Sequence, residues 1–230
     1  MANSIEANCL LCMQQSDIFR KLNDTELHSI NSCRVSIKYH QGEILFKQGS
    51  PCHDFVCITQ GLVKLYIESE SEKRIIIGFA KPIDYIFVPG AFTDKRHHFT
   101  AVALEETTAC LVGADVFQQI LEMNSSFAGA FLTKISEQAI RMFEQLSSLT
   151  HKQMPGRLAD VLLCLSQKIY NANPFVTSLS RQDIADMSGM TKESAIRILK
   201  TFKDDNLIRT EGDLIDVRNY TKLKTMSRIG

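Results

Sequence analysis

The apolar pattern of the chain changes period near residue 127, and few folds accommodate both halves. Upstream, from Val35 to about Leu121, β-branched and aromatic residues gather in short segments: Gly42–Phe46, Asp54–Thr59, Leu62–Ile67, Arg74–Phe79, Phe99–Leu104 and Ala109–Val112. Turn material at Gly49-Ser50-Pro51, Gln60-Gly61, Ser69–Lys73, Pro82 and Pro89-Gly90 separates them. Short strands at this spacing predict an antiparallel sandwich or barrel. A helix over about Asp24–Ser32 precedes it, with Asn23 as its cap and Glu26 as capping-box partner. Downstream, Leu132, Ile135, Ala139, Met142, Leu146 and Leu149 follow at spacings of 3, 4, 3, 4 and 3 residues. That is a heptad seam, and no Gly or Pro interrupts it between Ala130 and Met154, so one long helix is expected. The helix could lie against its own domain, a use that Phe131, Ile140 and Phe143 would support. The regular seam favours the other use, contact with the same helix of a second chain. Met154-Pro155-Gly156 is expected to break the helix and form a hinge.

Composition narrows the functional classes. With 230 residues, 44% hydrophobic and 23% charged, the chain has the makings of a folded core, not of a disordered or low-complexity segment. The longest run without Lys, Arg, Asp or Glu is Ile169–Ser180, which contains Asn and Pro and is too short to span a membrane. No basic region precedes the short apolar patch at the N-terminus, so no secretory signal is expected. Seven Cys, an odd count, then fit free thiols in a reducing cytoplasm. Net charge is zero, but residues 1–150 hold 13 Lys/Arg and 17 Asp/Glu, whereas residues 151–230 hold 13 and 9. A basic C-terminal third on an acidic body directs attention to a polyanion-binding module there. GxSxG, P-loop and HExxH patterns are all absent, and no enzyme is expected.

The segment Leu179–Ile208 carries the strongest signal. Ser180 can cap a helix with Asp183 three residues on, and Ala185 is small where a second helix must cross. Gly189 stands where the turn between helices needs a positive φ. Thr191 can cap the second helix, from which Ala195, Ile198, Leu199 and Phe202 pack back on the first. This is helix-turn-helix anatomy. Lys192, Glu193, Ser194 and Arg197 stay outward at the leading end. Glu193 and Arg197, four apart, could form an intrahelical ion pair, or could read bases, Arg197 on a guanine and Glu193 on a cytosine amino group. Leu207–Thr210 and Leu214–Val217 around Glu211-Gly212-Asp213 complete a two-stranded wing, and the chain is expected to end in that hairpin.

Together these motifs resemble the Crp/Fnr family of bacterial transcription regulators over nearly the whole chain. SRQDIADMSGMTKESAIRILKTFKDDNLI is similar to the family's DNA-binding signature, GEILFKQGSPCHDFVCITQGLVKLY to its β-roll glycine pattern through Gly42, Gly49 and Gly61, and PGRLADVLLCL to its hinge-and-helix run. The resemblance implies an α+β fold in three parts. Residues 1–122 would form an antiparallel β-roll effector domain, a jelly roll like cyclic-nucleotide-binding domains, residues 123–153 the dimerisation helix and hinge, and residues 154–230 a winged helix-turn-helix. It also implies a homodimer, joined through the six seam residues, binding a palindrome in double-stranded DNA with a TGA-like half-site, and an RNA polymerase partner. Lys192, Glu193 and Arg197 match the family's DNA-contacting positions, and the full expected interface adds Ser180, Arg181, Gln182, Thr191, Ser194 and Lys200.

The effector is not legible. Family members that bind cyclic AMP carry Gly-Glu-Leu followed by Arg-Ser or Arg-Thr, but here Phe87-Val88 replaces Gly-Glu and Phe99 stands before Thr100 in place of Arg. The family's adenine-contacting Thr-Ser aligns near Met142-Phe143. A cyclic phosphate facing Phe99 would lack its charge partner, so an apolar ligand, or none, is expected against Phe87, Val88, Gly90, Phe99, Thr100, Met142 and Phe143. The family's other precedent is an oxygen-labile [4Fe–4S] cluster. Cys9, Cys12 and Cys110 lie at matching places, and Cys33, Cys52 or Cys57 would have to supply the fourth thiolate. Cys110 could equally be a small buried hydrophobe. Zinc or thiol chemistry at Cys9 and Cys12 stays open, as does heme or metal ligation by His97-His98, against a plain role as polar loop residues.

Overall fold

The computed structural model describes residues 16–86 and 88–229; Cys9, Cys12 and Phe87 lie outside them. The chain divides into two compact units, residues up to 68 with 78–140, and residues 69–77 with the remainder from 141.

In the first unit, helix α1 (Asp24–Cys33) opens on the expected capping box, the Glu26 N–H donating to Asn23 Oδ1 and the Asn23 N–H to Glu26 Oε2, both at 2.9 Å. The strands follow: β1 (Val35–Tyr39), β2 (Ile44–Phe46), β3 (Asp54–Gln60), β4 (Val63–Glu68), β5 (Arg74–Ala80, of which residues 74–77 fall in the second unit), β6 (Tyr85–Ile86), β7 (Thr100–Ala103) and β8 (Thr107–Gly113). They form two four-stranded sheets, ordered β1-β8-β3-β6 and β2-β7-β4-β5. The expected segments become β2, β3, β4, β5, β7 and β8; the two-residue β6 is too short to show a period. Helix α2 (Ala114–Met123) follows. Asn124 then caps helix α3 (Ser125–His151), its Oδ1 accepting from the Phe127 N–H at 2.9 Å.

The first turns of α3 are held by an aromatic core. Phe55 stacks on Phe117 with centroids 4.1 Å apart, Phe127 and Phe131 each meet Phe117 edge-on at 5.3 Å, and Phe19 stacks on Tyr85 at 4.5 Å. Phe19, Phe55, Phe117, Phe127 and Phe131 are all buried, and their rings add to the aliphatic core of this unit. Farther along α3 the apolar residues turn outward: Leu132, Ile140, Phe143 and Leu146 are 62%, 55%, 69% and 59% exposed. Phe131 is buried as its own-domain reading requires, whereas Ile140 and Phe143 are not.

In the second unit, the long helix stops at His151, ahead of the expected break. Pro155 does not end a helix but begins one: α4 (Met154–Cys164) carries it in its first turn, where the missing N–H costs nothing. Leu158, Ala159 and Leu162 make α4 the core of the unit. A π-type turn at Leu165–Ile169 ends it, the Tyr170 N–H reaching Leu165 O. Strand β9 (Phe175–Val176), helices α5 (Arg181–Ser188) and α6 (Lys192–Asp204), and strands β10 (Ile208–Glu211) and β11 (Leu214–Val217) follow, the three strands ordered β10-β11-β9. The chain does not end in the hairpin: helix α7 (Tyr220–Ile229) packs on α4. Asp160 of α4 accepts from Ser148 Oγ and Lys152 Nζ, both at 2.7 Å, and from Ser227 Oγ of α7.

Candidate nucleic-acid interface

Local chemistry sets the geometry of α5 and α6. The Ser180 N–H donates to Asp183 Oδ2 at 2.9 Å while the Asp183 N–H donates to Ser180 Oγ at 3.1 Å, so α5 starts on a closed capping box. It ends at Gly189 with φ +58°, where a Cβ would stand 2.6 Å from Cδ2 of Leu149. Gly is favoured by the left-handed backbone, and a Cβ there would also make the Leu149 side chain shift. Leu149 is thereby covered within its own unit, its carbonyl accepting from Arg157 Nη1 at 3.2 Å. Thr191 then accepts from the Ser194 N–H at 3.3 Å and opens α6.

Ala195, Ile198, Leu199 and Phe202 bury one face of α6, as their spacing predicts. Lys192, Glu193, Arg197 and Lys200 are exposed on the other, and Ser194 is half-buried. Among the described residues no ion pair joins Glu193 to Arg197, so the intrahelical pairing is absent and both charged ends face outward. The positive end of the α6 dipole and Lys192 add to the field at the leading end. Lys203, Asn206, Ile208, Arg209 and Arg218 line an open groove between the end of α6 and the wing.

Three residues of the expected interface have other partners at the first helix. Arg181 donates from Nη2 to Gly212 O at 3.0 Å, tying the start of α5 to the tip of the wing. Gln182 donates to Asp186 Oδ1 at 2.7 Å, and Ser180 Oγ to Asp183 Oδ2 at 2.7 Å. The bond from Arg181 spans 31 residues, which no local pattern could disclose. Ile196 is 46% exposed beside Arg197 on the same helix, a placement that the sequence pattern does not disclose. A helix face judged by its charges gives no reason to single out an apolar side chain among them.

The expected effector residues are placed differently. Val88, Phe99 and Thr100 are buried side chains of the first unit, and a Cβ at Gly90 would stand 1.7 Å from Arg96 O. Phe99 meets Phe46 at 5.5 Å, and Thr100 Oγ1 accepts from the Gln48 N–H at 3.0 Å. Met142 and Phe143 belong to the second unit, exposed on α3. His98 is a polar loop residue, 3.1 Å from Asp94. His97 is not: it is buried, stacked 3.9 Å from Phe46, with no partner for its Nδ1. Burial, and then the nearby imidazoles of His53 and His98, push its pKa down to about 4. Cys110 is buried on β8 directly opposite Cys57 on β3. Cys52 is buried and Cys33 exposed, and among the described residues no three Cys, His, Asp or Glu side chains converge to hold a metal ion.

Comparison with known proteins agrees with this architecture. Residues 36–124 match the cyclic nucleotide-binding domain family, and residues 156–226 the Crp-like helix-turn-helix domain. The chain is 28% identical over 188 residues to the transcriptional activator protein Anr of Pseudomonas protegens, covering 80% of this chain and 76% of that one. It is 27% identical over 199 residues to the cAMP-activated global transcriptional regulator CRP of Salmonella typhimurium, covering 82% and 91%. The structure of FixK2 from Bradyrhizobium japonicum shares the fold, with a TM-score of 0.76 at 21% identity over 84% of this chain and 96% of that one. With a β-roll, a long helix and a winged helix-turn-helix in the order those relatives share, the chain belongs to the Crp/Fnr family of DNA-binding transcription regulators.

Proposed function

We propose that two copies of the chain, joined along α3, bind a palindromic duplex and that Glu193 and Arg197 read base edges in its TGA-like half-sites. The observation that carries the reading is the state of those two side chains: exposed, on one face of a helix capped by Thr191, and not paired with each other. Lys192 and Lys200 beside them suit backbone phosphates, and the dipole end of α6 suits another. Support for the dimer comes from the seam residues Leu132, Met142 and Leu146, large apolar side chains that are 62%, 41% and 59% exposed on α3. Half-site centres about 34 Å apart are then expected.

The effector is not cyclic AMP in this reading. Phe99 stands where a phosphate needs Arg, and the Thr100 hydroxyl already serves Gln48. The regulator works in the cytoplasm, with RNA polymerase as its downstream partner. Enrichment of random duplexes on the pure protein, with and without air, together with sedimentation at several concentrations, tests these points together. A two-fold symmetric sequence bound by a dimer is expected; no enriched sequence would refute the reading. A second reading, redox or metal sensing through Cys9, Cys12 and Cys110 with DNA binding as output, draws on the position of Cys57 opposite Cys110. It requires bound iron or zinc in anaerobically purified protein, or a disulfide that forms on exposure to air and is reversed by dithiothreitol, and fails if none of these is found.

A further inference from the structure

The outward face of α6 is polar or charged except at one place. Ile196 lies one helical turn from Lys192, Glu193 and Lys200 and next to Arg197, and it is 46% exposed. It is the only large apolar side chain of α6 with such exposure; Ile198, Leu199 and Phe202 are all buried. A single exposed Ile on a protein surface is ordinary. This one stands in the middle of the face that the proposed function puts against base edges, and a buried Ile there must meet something apolar. The major-groove edges of the four base pairs offer donors, acceptors and one apolar group, the 5-methyl of thymine.

We infer that Ile196 packs against a thymine 5-methyl group in each half-site and selects that base over cytosine. The inference rests on the proposed function and adds a specificity-determining residue to it. Glu193 and Arg197 discriminate through hydrogen bonds and charge, which a groove full of water can partly imitate. Ile196 discriminates through exclusion of water: opposite a cytosine its side chain would face an edge that lacks the 5-methyl group, and the apolar contact would be lost. Because the side chain is nearly half exposed and lies off the buried face of α6, its replacement leaves the fold intact.

The test uses the duplex enriched from random sequence, in which deoxyuridine replaces each thymidine in turn and so deletes the methyl group alone. Wild-type protein should lose about fourfold in affinity at one thymine of a half-site, and about fifteenfold with both half-sites changed, the worth of one buried methyl each. Ile196→Ser should bind thymine and uracil duplexes equally, while Ile196→Val keeps the discrimination. If wild-type protein binds every uracil duplex as tightly as the parent, the inference is overturned and the proposed function stands. The inference is likewise overturned if Ile196→Ser discriminates as wild type does. Failure to enrich any sequence would overturn both.

Discussion

The β-roll and the winged helix-turn-helix treat their expected binding residues in opposite ways. In the second unit, the capping box of α5, the Thr191 cap of α6, the Gly189 turn and an apolar inner face hold α6 so that Lys192, Glu193, Arg197 and Lys200 are left for solvent or a ligand. In the first unit, Val88, Phe99 and Thr100 point into the protein itself, Gly90 is covered by the Arg96 carbonyl, and Lys95 and Arg96 donate to the carbonyls of Ala91 and Gly49 at 2.6 and 2.8 Å. One template thus serves two purposes. A face kept polar against an apolar core leaves its side chains free for a ligand, whereas Val88, Phe99 and Thr100 contribute to the core of their own unit.

The contrast predicts that change in the β-roll pocket registers as stability. Gly90→Ala should have the largest effect, because the new Cβ would meet main chain and not a side chain that could swing away. A loss of about 3 kcal/mol, the upper end of what overpacking costs, should show in urea unfolding. A pocket with room for a ligand would tolerate the methyl group, and an unchanged midpoint would break the contrast.

Acid should reach the same region through His97. Its folded pKa, about 4, lies below the ordinary 6.5, so the unfolded chain binds the extra proton between those values. The stabilisation is complete above pH 6.5 and is lost as pH falls towards 4, by up to about 3 kcal/mol for this group. His97→Phe keeps the stack on Phe46 and removes the titration. Its unfolding free energy should fall less between pH 6.5 and 4 than that of wild type, and parallel curves would show that His97 is not held neutral.

In the second unit substitution should separate binding from stability. Arg197→Ala should weaken specific DNA binding by about 1–3 kcal/mol and relax preference at one base pair, with the thermal midpoint unmoved. Competition between the enriched duplex and its single-base variants measures both. Unaltered preference would show that Arg197 only neutralises phosphate.

Within each unit, what can be read from sequence depends on how far apart in the chain the partners lie. Helix caps and glycine turns act over three or four residues, so Asn23 with Glu26, Ser180 with Asp183, and Gly189 are legible, and the α5–α6 pair with them. Pro155 is ambiguous because one residue type both stops helices and starts them, and only the position of the preceding helix end decides between the two. The bond from Arg181 to Gly212, the cover that Gly189 places on Leu149, and the burial of His97 against Phe46 depend on residues distant in the chain. Family likeness locates the effector region but not its state, since the consequence of Phe99 depends on what packs around it.

The smallest effect should come from Lys200, and it sharpens the contrast within the interface itself. Lys200 is exposed one turn beyond Ile196 and has a flexible stem and a compact charge, which suit a phosphate better than a base edge. Contact with a phosphate releases a condensed counterion and carries no sequence information. Lys200→Ala should therefore weaken every duplex by a similar factor, lower the slope of log affinity against log salt by about 1 per copy, and leave the ranking of base variants as it was. Arg197→Ala should do the reverse, changing the ranking more than the slope. A changed ranking in the Lys200 variant would move the line between reading and anchoring one turn further along α6, and the half-site would then have to extend by the bases that turn reaches.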